Sequence, residues 1–276
     1  MSKTVLITGT SSGIGKQTAL YFSEKDWNVI ATMRNPDKGK TGFEGKKNIE
    51  VVHLDVLDIS SIQKAIDYSV TTYGKIDVLV NNAGYAIVGP FEASTQEAIR
   101  KQFHTNVEGL MDVTREIIPF FRTQKSGTII NVSSMAGRMT YPFYAVYNST
   151  KWAVEGFSED LQFELRPFNI KVKIIEPGFI DTDFYGRSKD VMKKNELVAY
   201  DAPMERMVHF EENLMKKGWC SLPDVVAKTI YKAAIDDTWK LRYHSGKFSG
   251  TALGFRKILP ERIFLRALRY ITLRDL

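Results

Sequence analysis

The chain has 276 residues, 43% hydrophobic and 25% charged, which is the balance of a globular protein long enough for one large domain. Its net charge of +6 suits an anionic cofactor but is too small to indicate nucleic-acid binding. One cysteine excludes an intrachain disulfide, no apolar run reaches membrane-spanning length and no signal peptide precedes the first strand pattern, so we expect a cytoplasmic protein.

A glycine-rich turn separates the first predicted strand from the first predicted helix. The strand is the apolar run from Thr4 to Ile7, and the helical pattern runs from Lys16 to Lys25. The turn between them reads Thr8-Gly9-Thr10-Ser11-Ser12-Gly13-Ile14-Gly15. Its spacing is G-x-x-x-G-x-G, not the G-x-G-x-x-G of ordinary dinucleotide folds. Such a turn lets the backbone approach a pyrophosphate at the helix N-terminus.

The second predicted strand, Asn28 to Thr32, is followed by a basic residue. In NAD-binding folds an acidic residue near this strand end holds the ribose 2′-hydroxyl. Here Arg34 stands in that region instead. An arginine can pair with a 2′-phosphate, and the alternative is an arginine solvated in a loop. The spacing alone leaves both interpretations open.

Short apolar strands continue to alternate with helices up to residue 178. Beyond a polar loop from 35 to 48, strands are predicted at 49–54, 76–80, 128–132 and 170–175, and helices at 60–73, 95–122 and through residue 147 to about 165. This alternation predicts a doubly wound, Rossmann-type α/β fold, with a parallel sheet covered by helices on both faces. Ligands of such sheets bind at the carboxyl ends of the strands. We therefore expect one site formed by Gly9–Gly15, Arg34, Asp55, Asn81–Gly84, Ser134 and Pro177-Gly178.

The remainder of the chain is predicted to form a substrate wall and a C-terminal helix. Residues 179–219 show little strand signal and are typical of a lid, after which a helix from 222 to 236 and a seventh strand from 239 to 243 are expected. In an amphipathic extension of about 255–276, an apolar stripe of Phe264, Leu268 and Ile271 lies roughly opposite Arg262, Arg266 and Arg269. The favoured interpretation is a helix packing on its own subunit or a partner. A membrane-surface helix is the alternative.

Tyr147 and Lys151 are the candidate catalytic pair. Four residues apart, they lie on one face of a helix, and a nearby ammonium group is expected to lower the pKa of the phenol. That would make Tyr147 a proton donor and acceptor near neutral pH, although such a pair is often just two surface residues. Ser134 follows the predicted strand at 128–132 and is placed to donate a hydrogen bond to a substrate oxygen.

Together these motifs resemble the single-domain branch of the short-chain dehydrogenase/reductases. The resemblance covers Lys3 to roughly Tyr243. It rests on the 8–15 turn, Asn81-Asn82-Ala83-Gly84, Ser134, Tyr147 with Lys151, and Pro177-Gly178 with Thr182. It implies that Tyr147 is the general acid/base and that Ser134 orients the substrate oxygen. It also implies that Lys151 lowers the tyrosine pKa and holds the nicotinamide ribose, and that Asn106 orders a water molecule in the proton relay.

The resemblance also implies a cofactor and a reaction. An arginine just beyond the second strand is associated with NADP(H), although the basic residue that some NADP-preferring members carry before the second glycine is Ser12 here. The remaining cofactor contacts would be Asp55 and Val56 at the adenine, Asn82, Ala83 and Gly84, Pro177 and Gly178, and Thr182 at the carboxamide.

The expected function is an NADP(H)-dependent carbonyl reductase acting by hydride transfer on a small lipophilic molecule, in a homo-oligomer (dimer or tetramer). The alternatives are an NAD-dependent alcohol dehydrogenase and a non-catalytic cofactor sensor. No metal or nucleic acid is expected. The candidate substrate walls are Tyr85, Met135, Tyr141, Phe143, Tyr144, Phe179, Phe184 and Tyr185.

Overall fold

A parallel sheet of seven strands forms the centre of the molecule in a computed structural model, which describes residues 2–182 and 189–273. The strands of the described residues are β1 (Thr4–Thr8), β2 (Asn28–Met33), β3 (Ile49–His53), β4 (Val78–Asn81), β5 (Ala86–Val88), β6 (Gly127–Val132), β7 (Ile170–Pro177), β8 (Lys189–Val191) and β9 (Arg242–Ser245). The main sheet has the order β3-β2-β1-β4-β6-β7-β9, and β5 pairs only with β8. The strand order reverses between β1 and β4, which is where open α/β sheets bind ligands.

Helices cover both faces of the sheet, as predicted. The helices of the described residues are α1 (Gly13–Ser23), α2 (Pro36–Gly39), α3 (Ile59–Tyr73), α4 (Gln96–Phe103), α5 (Gly109–Gln124), α6 (Ala145–Leu165), α7 (Asp201–Lys216), α8 (Pro223–Ile235), α9 (Ser249–Ile258) and α10 (Glu261–Thr272). In β1, Val5 and Ile7 pack on the side of α1 and α8, whereas Leu6 packs on the side of α3 and α5. Both faces of the strand are therefore buried, which explains its uninterrupted apolar sequence.

Several predicted boundaries are corrected by capping and by local geometry. Helix α3 begins at Ile59 rather than at Ser60 or Ser61, because the Asp58 carboxylate accepts a hydrogen bond of 3.0 Å from the Ser60 N–H and acts as the N-cap. The helix predicted from 95 to 122 is divided by a π-helical turn, His104–Glu108, between α4 and α5. The predicted loop from 35 to 48 contains α2 and a 3₁₀ turn, Lys40–Phe43.

The wall segment contains a strand that its sequence does not predict. β8 has only three residues, two of them charged, and it exists because β5 offers it a parallel partner. Gly89 permits the close approach beyond this pair. Its φ is +140°, and a Cβ on it would lie 2.3 Å from the Met192 carbonyl oxygen.

The C-terminal extension is helical, but its buried stripe differs from the predicted one. Phe264 is buried and Leu268 packs against the same cluster, whereas Ile271 is 60% exposed and Thr272 is buried in its place. The side chains that pack on the protein, Phe264, Leu268 and Thr272, follow one i, i+4 row of α10. This row turns slowly around the helix, so Ile271 lies at the edge of the packed surface. Among the described helices, none combines the length and hydrophobicity needed to cross a membrane.

Candidate active site

The motif residues meet in one cleft of about 490 Å³ at the carboxyl ends of the strands. The convergence expected from the strand ends is therefore observed except at Thr10 and Asn81, whose buried side chains bond within the sheet region and do not line the cleft; the role of each residue stays a prediction. Of the predicted residues, the cleft is lined by Gly9, Ser11, Ser12, Gly13, Ile14, Gly15, Arg34, Asp55, Val56, Asn82, Ala83, Gly84, Ser134, Tyr147, Lys151, Pro177, Gly178 and Thr182.

The glycine turn is held against the end of β4 by a side-chain amide. Asn82 Nδ2 donates to the carbonyl oxygens of Thr8 (2.9 Å) and Gly9 (3.0 Å). Gly15 packs so closely on these groups that a Cβ would lie 2.3 Å from the Gly9 carbonyl oxygen and 2.5 Å from Asn82 Nδ2. Ser12 is the N-cap of α1, but its side chain makes no capping hydrogen bond. The first turn of α1 thus presents backbone N–H groups to the cleft, as a phosphate requires.

Tyr147 is a neutral phenol in this cleft rather than one poised to ionise. Burial raises its pKa to about 12, against a smaller lowering by a hydrogen bond from Ser134. The Tyr147–Lys151 spacing predicts the opposite direction. That prediction is wrong because burial removes the hydration of the phenolate, while the ammonium group lies 5.8 Å from the centre of the tyrosine ring.

Lys151 is fixed from behind by the sheet. Its Nζ donates to the Val132 carbonyl oxygen at 2.9 Å. Burial lowers its pKa to about 8, and the nearby Glu155 carboxylate opposes that shift. Because Glu155 is one helical turn beyond Lys151, both side chains belong to the same face of α6. Lys151 therefore changes its charge close to physiological pH.

A cluster of charges around two buried carboxylates backs the candidate catalytic pair. Arg242 lies 3.0 Å from Glu155 and 3.9 Å from Glu176, and Arg138 lies 3.3 Å from Glu176. Burial raises the pKa of both carboxyl groups, and the arginines act against that rise. Glu176 immediately precedes Pro177-Gly178, so the cluster joins α6, β7 and β9 beneath the cleft. It is placed to hold α6, which carries Tyr147 and Lys151, against the end of β7 that leads into Pro177-Gly178.

Asn106 supports the cleft from behind and is not among its lining residues. Its amide donates to the Tyr85 carbonyl oxygen (2.8 Å) and to Thr150 Oγ1 (3.1 Å), and its Oδ1 accepts from the Tyr85 N–H (3.1 Å). The π-helical turn that contains Asn106 changes the register of the helix at this point. Its predicted role in ordering a water molecule stays a prediction.

Aromatic and methionine side chains form the other side of the cleft, as the sequence predicts for five of them. Tyr85, Met135, Tyr144 and Phe179 line the cleft, and so does Tyr141. The prediction that Phe143 lines the cleft is wrong, because Phe143 packs in the cluster around Tyr144 and Met207 instead. Phe184 and Tyr185 lie outside the described residues.

Sequence reasoning missed the polar end of this wall. Tyr144 donates a short hydrogen bond to Glu211, whose other oxygen lies 2.6 Å from Lys189 Nζ. Met207 and Asp190 line the same region. The sequence does contain a signal for Glu211. Met207, Glu211 and Leu214 are spaced to share the buried face of α7, and a carboxylate within such an apolar stripe indicates a buried polar partner.

Residues 3–192 match the family model of the short chain dehydrogenases. The chain belongs to the short chain dehydrogenase family. It is therefore an oxidoreductase, and its Rossmann-type cleft serves a nicotinamide cofactor. The glycine turn and the uncapped start of α1 fit the phosphates of such a dinucleotide.

An uncharacterized oxidoreductase of Schizosaccharomyces pombe is 39% identical to this chain over 233 residues. The aligned residues cover 84% of this chain and 96% of that protein. A 3-ketodihydrosphingosine reductase of Bacteroides thetaiotaomicron is 38% identical over 180 residues, 65% of each chain. Among solved structures, ElxO with NADP bound has a TM-score of 0.73 and 29% identity, covering 88% of this chain and 98% of that one.

Proposed function

We propose that this protein is an NADP(H)-dependent reductase that converts the carbonyl group of a lipophilic molecule to an alcohol. The observation that carries the proposal is the Tyr147 phenol, hydrogen-bonded to Ser134 at the junction of the glycine-turn side and the aromatic side of one cleft. A proton donor at this junction is what carbonyl reduction demands of the protein. The hydride is the chemistry that the bound cofactor supplies.

Tyr147 delivers the proton to the substrate oxygen. With a pKa of about 12 in the folded chain, the phenol is protonated at neutral pH and acts as the general acid. Ser134 Oγ, held by the Ala136 N–H at 3.1 Å, donates a second hydrogen bond to the same oxygen as negative charge develops on it. Lys151, anchored on Val132, is the group that would hold the cofactor ribose beside the phenol.

NADP(H) is proposed over NAD(H) because of Arg34. This exposed arginine follows β2 and lines the cleft on the side where an adenosine ribose is bound in such folds. Its planar guanidinium matches the geometry of a 2′-phosphate. The NADP-bound ElxO structure, at 29% identity, supports this choice.

The lipophilic substrate is proposed from the composition of the opposite wall. Met135 is fully buried beneath it, and the Phe179 ring meets the rings of Tyr141 and Phe210 edge to face, with centroids 5.4 Å and 6.0 Å apart. Adaptable sulfur and aromatic surfaces of this kind suit an apolar ligand. The reductase of Bacteroides thetaiotaomicron, which is named for a keto lipid, supports a ketone carried on an aliphatic chain.

The test is NADPH oxidation with a panel of ketones and aldehydes of increasing chain length. We expect turnover that improves with chain length, and we expect Tyr147→Phe to bind NADPH normally while losing at least 10²-fold in kcat. A Tyr147→Phe protein that keeps more than a tenth of the wild-type kcat would remove the tyrosine from this role. A wild-type protein that binds NADPH but reduces no member of the panel would favour a cofactor sensor instead.

A further inference from the structure

The C-terminal helix α10 has one face on the protein and a second apolar face in solvent. Phe264 and Leu268 pack with Met135 and Met139, so the inner face lies on the residues that border the substrate side of the cleft. On the side of the helix away from this contact, Ile263 is 54% exposed and Tyr270 is 60% exposed, whereas Ile271, also 60% exposed, lies at the edge of the packed stripe. Ile263 and Tyr270 are spaced i, i+7 and share one side of the helix, and Ile271 lies where that side meets the packed stripe.

Helix α9, which contacts α10, carries further exposed apolar side chains. Its last turn carries Phe255, 57% exposed, and Ile258, 80% exposed, at a spacing of three residues that places both on one side. Large apolar side chains are often exposed singly on soluble proteins, but five of them on two consecutive helices mark an interaction surface.

Basic residues border this surface. Residues 249–273 contain five basic side chains and one acidic side chain. The acidic one, Glu261, lies 3.1 Å from Arg256. Arg262, Arg266 and Arg269 follow one another at i, i+4 and i+7, so they form a continuous basic row beside the outer apolar face of α10. The long aliphatic stems of arginine let such charges reach outward past apolar neighbours.

We propose that the outer face of α10 and the last turn of α9 form a docking surface for an anionic lipid membrane. An amphipathic helix with isoleucine and tyrosine on one face and arginine beside it binds in the headgroup region, where apolar burial and attraction to anionic lipid act together. A second copy of this chain is the weaker candidate. A two-fold interface would place the same patch against itself, and therefore the arginine row against the same basic patch of the other copy. This surface is separate from the proposed reaction.

The experiment is co-sedimentation of the full-length protein with vesicles of phosphatidylcholine containing 30% phosphatidylserine, compared with pure phosphatidylcholine. We expect binding to the anionic vesicles, much weaker binding to the neutral ones, and loss of most anionic binding when the salt concentration is raised from about 0.1 to 0.5 M. Arg262→Glu with Arg266→Glu, and separately Ile263→Ser with Ile271→Ser, should each weaken anionic binding at least tenfold.

Matched controls come from exposed residues elsewhere. Lys46→Glu with Lys47→Glu changes the net charge by the same four units as the arginine pair, and Phe91→Ser removes an apolar side chain that is 64% exposed. Both controls should bind anionic vesicles like the wild type. Circular dichroism and thermal melting establish that every variant is folded before its binding is compared.

Three results would overturn the proposal. One is a wild-type protein that sediments no better with anionic than with neutral vesicles. Another is a Lys46/Lys47 control that loses as much binding as the Arg262/Arg266 pair, because general charge would then explain the effect. The third is sedimentation velocity without vesicles in which Ile263→Ser with Ile271→Ser reduces the oligomeric state, since the face would then be covered by a second copy.

Discussion

Replacing Gly15 by alanine tests whether the glycine turn is as tightly closed as the structure shows. The added methyl carbon would lie 2.3 Å from the Gly9 carbonyl oxygen and 2.5 Å from Asn82 Nδ2, whereas an ordinary contact is 3.4–4 Å. Neither neighbour can yield alone, because Asn82 Nδ2 is bonded to two carbonyl oxygens of the turn. The turn must therefore open by about an ångström, and it is the turn on which the cofactor phosphates would rest.

Overpacking of this kind costs about 1–3 kcal/mol. If the distortion falls on the phosphate-binding turn, the Kd for NADPH should rise roughly 5- to 150-fold, since about 1.4 kcal/mol corresponds to a factor of ten. The melting temperature should fall by several degrees. Fluorescence titration with NADPH and differential scanning calorimetry measure the two effects.

Gly156→Ala is the matched control, because the substitution is chemically identical and the surroundings are opposite. A Cβ at Gly156 meets nothing within 4 Å, and the residue lies inside helix α6. Alanine is favoured there by up to about 1 kcal/mol, so this variant should be as stable as the wild type or more so, with unchanged NADPH affinity. A Gly15→Ala protein that binds NADPH within twofold of the wild type and melts at the same temperature would refute the reasoning.

Further predictions concern cofactor choice, pH and the support of the cleft. Arg34→Asp should weaken the binding of NADPH at least tenfold relative to that of NADH, since it replaces the phosphate partner with a repulsive charge. Equal use of both cofactors by the wild type would contradict this role of Arg34. The kcat/KM for NADPH should fall as pH rises through about 8, where Lys151 loses its charge while Tyr147 remains protonated. Lys151→Arg should move this fall in kcat/KM to higher pH. A kcat/KM that stays constant up to pH 10 would exclude the role of the Lys151 charge. Asn106→Ala should lower both kcat and the melting temperature by removing three hydrogen bonds around Tyr85 and Thr150, whereas a change confined to kcat would indicate a direct role in the reaction.

Much of the cleft follows from position along the chain. Carboxyl ends of parallel strands meet at one edge of a sheet, so a glycine turn beyond the first strand and Ser134 beyond a later one are brought together by topology alone. The same reasoning fails for residues whose place depends on long-range packing. Glu211 lies on α7, far along the chain from its hydrogen-bond donor Tyr144, and only the closed wall brings them together.

The apolar strands, the glycine spacing and the four-residue interval from Tyr147 to Lys151 are local properties, and they suffice to specify the sheet, its helices and the edge at which the site forms. What the pattern of residues does not contain is the extent of burial. The tertiary structure decides that the loss of hydration dominates the pKa of Tyr147, because desolvation depends on everything packed around the phenol. It decides in the same way that β8 pairs with β5, and that α10 buries Thr272 while leaving Ile271 in solvent, since each outcome requires a neighbour from a distant part of the chain.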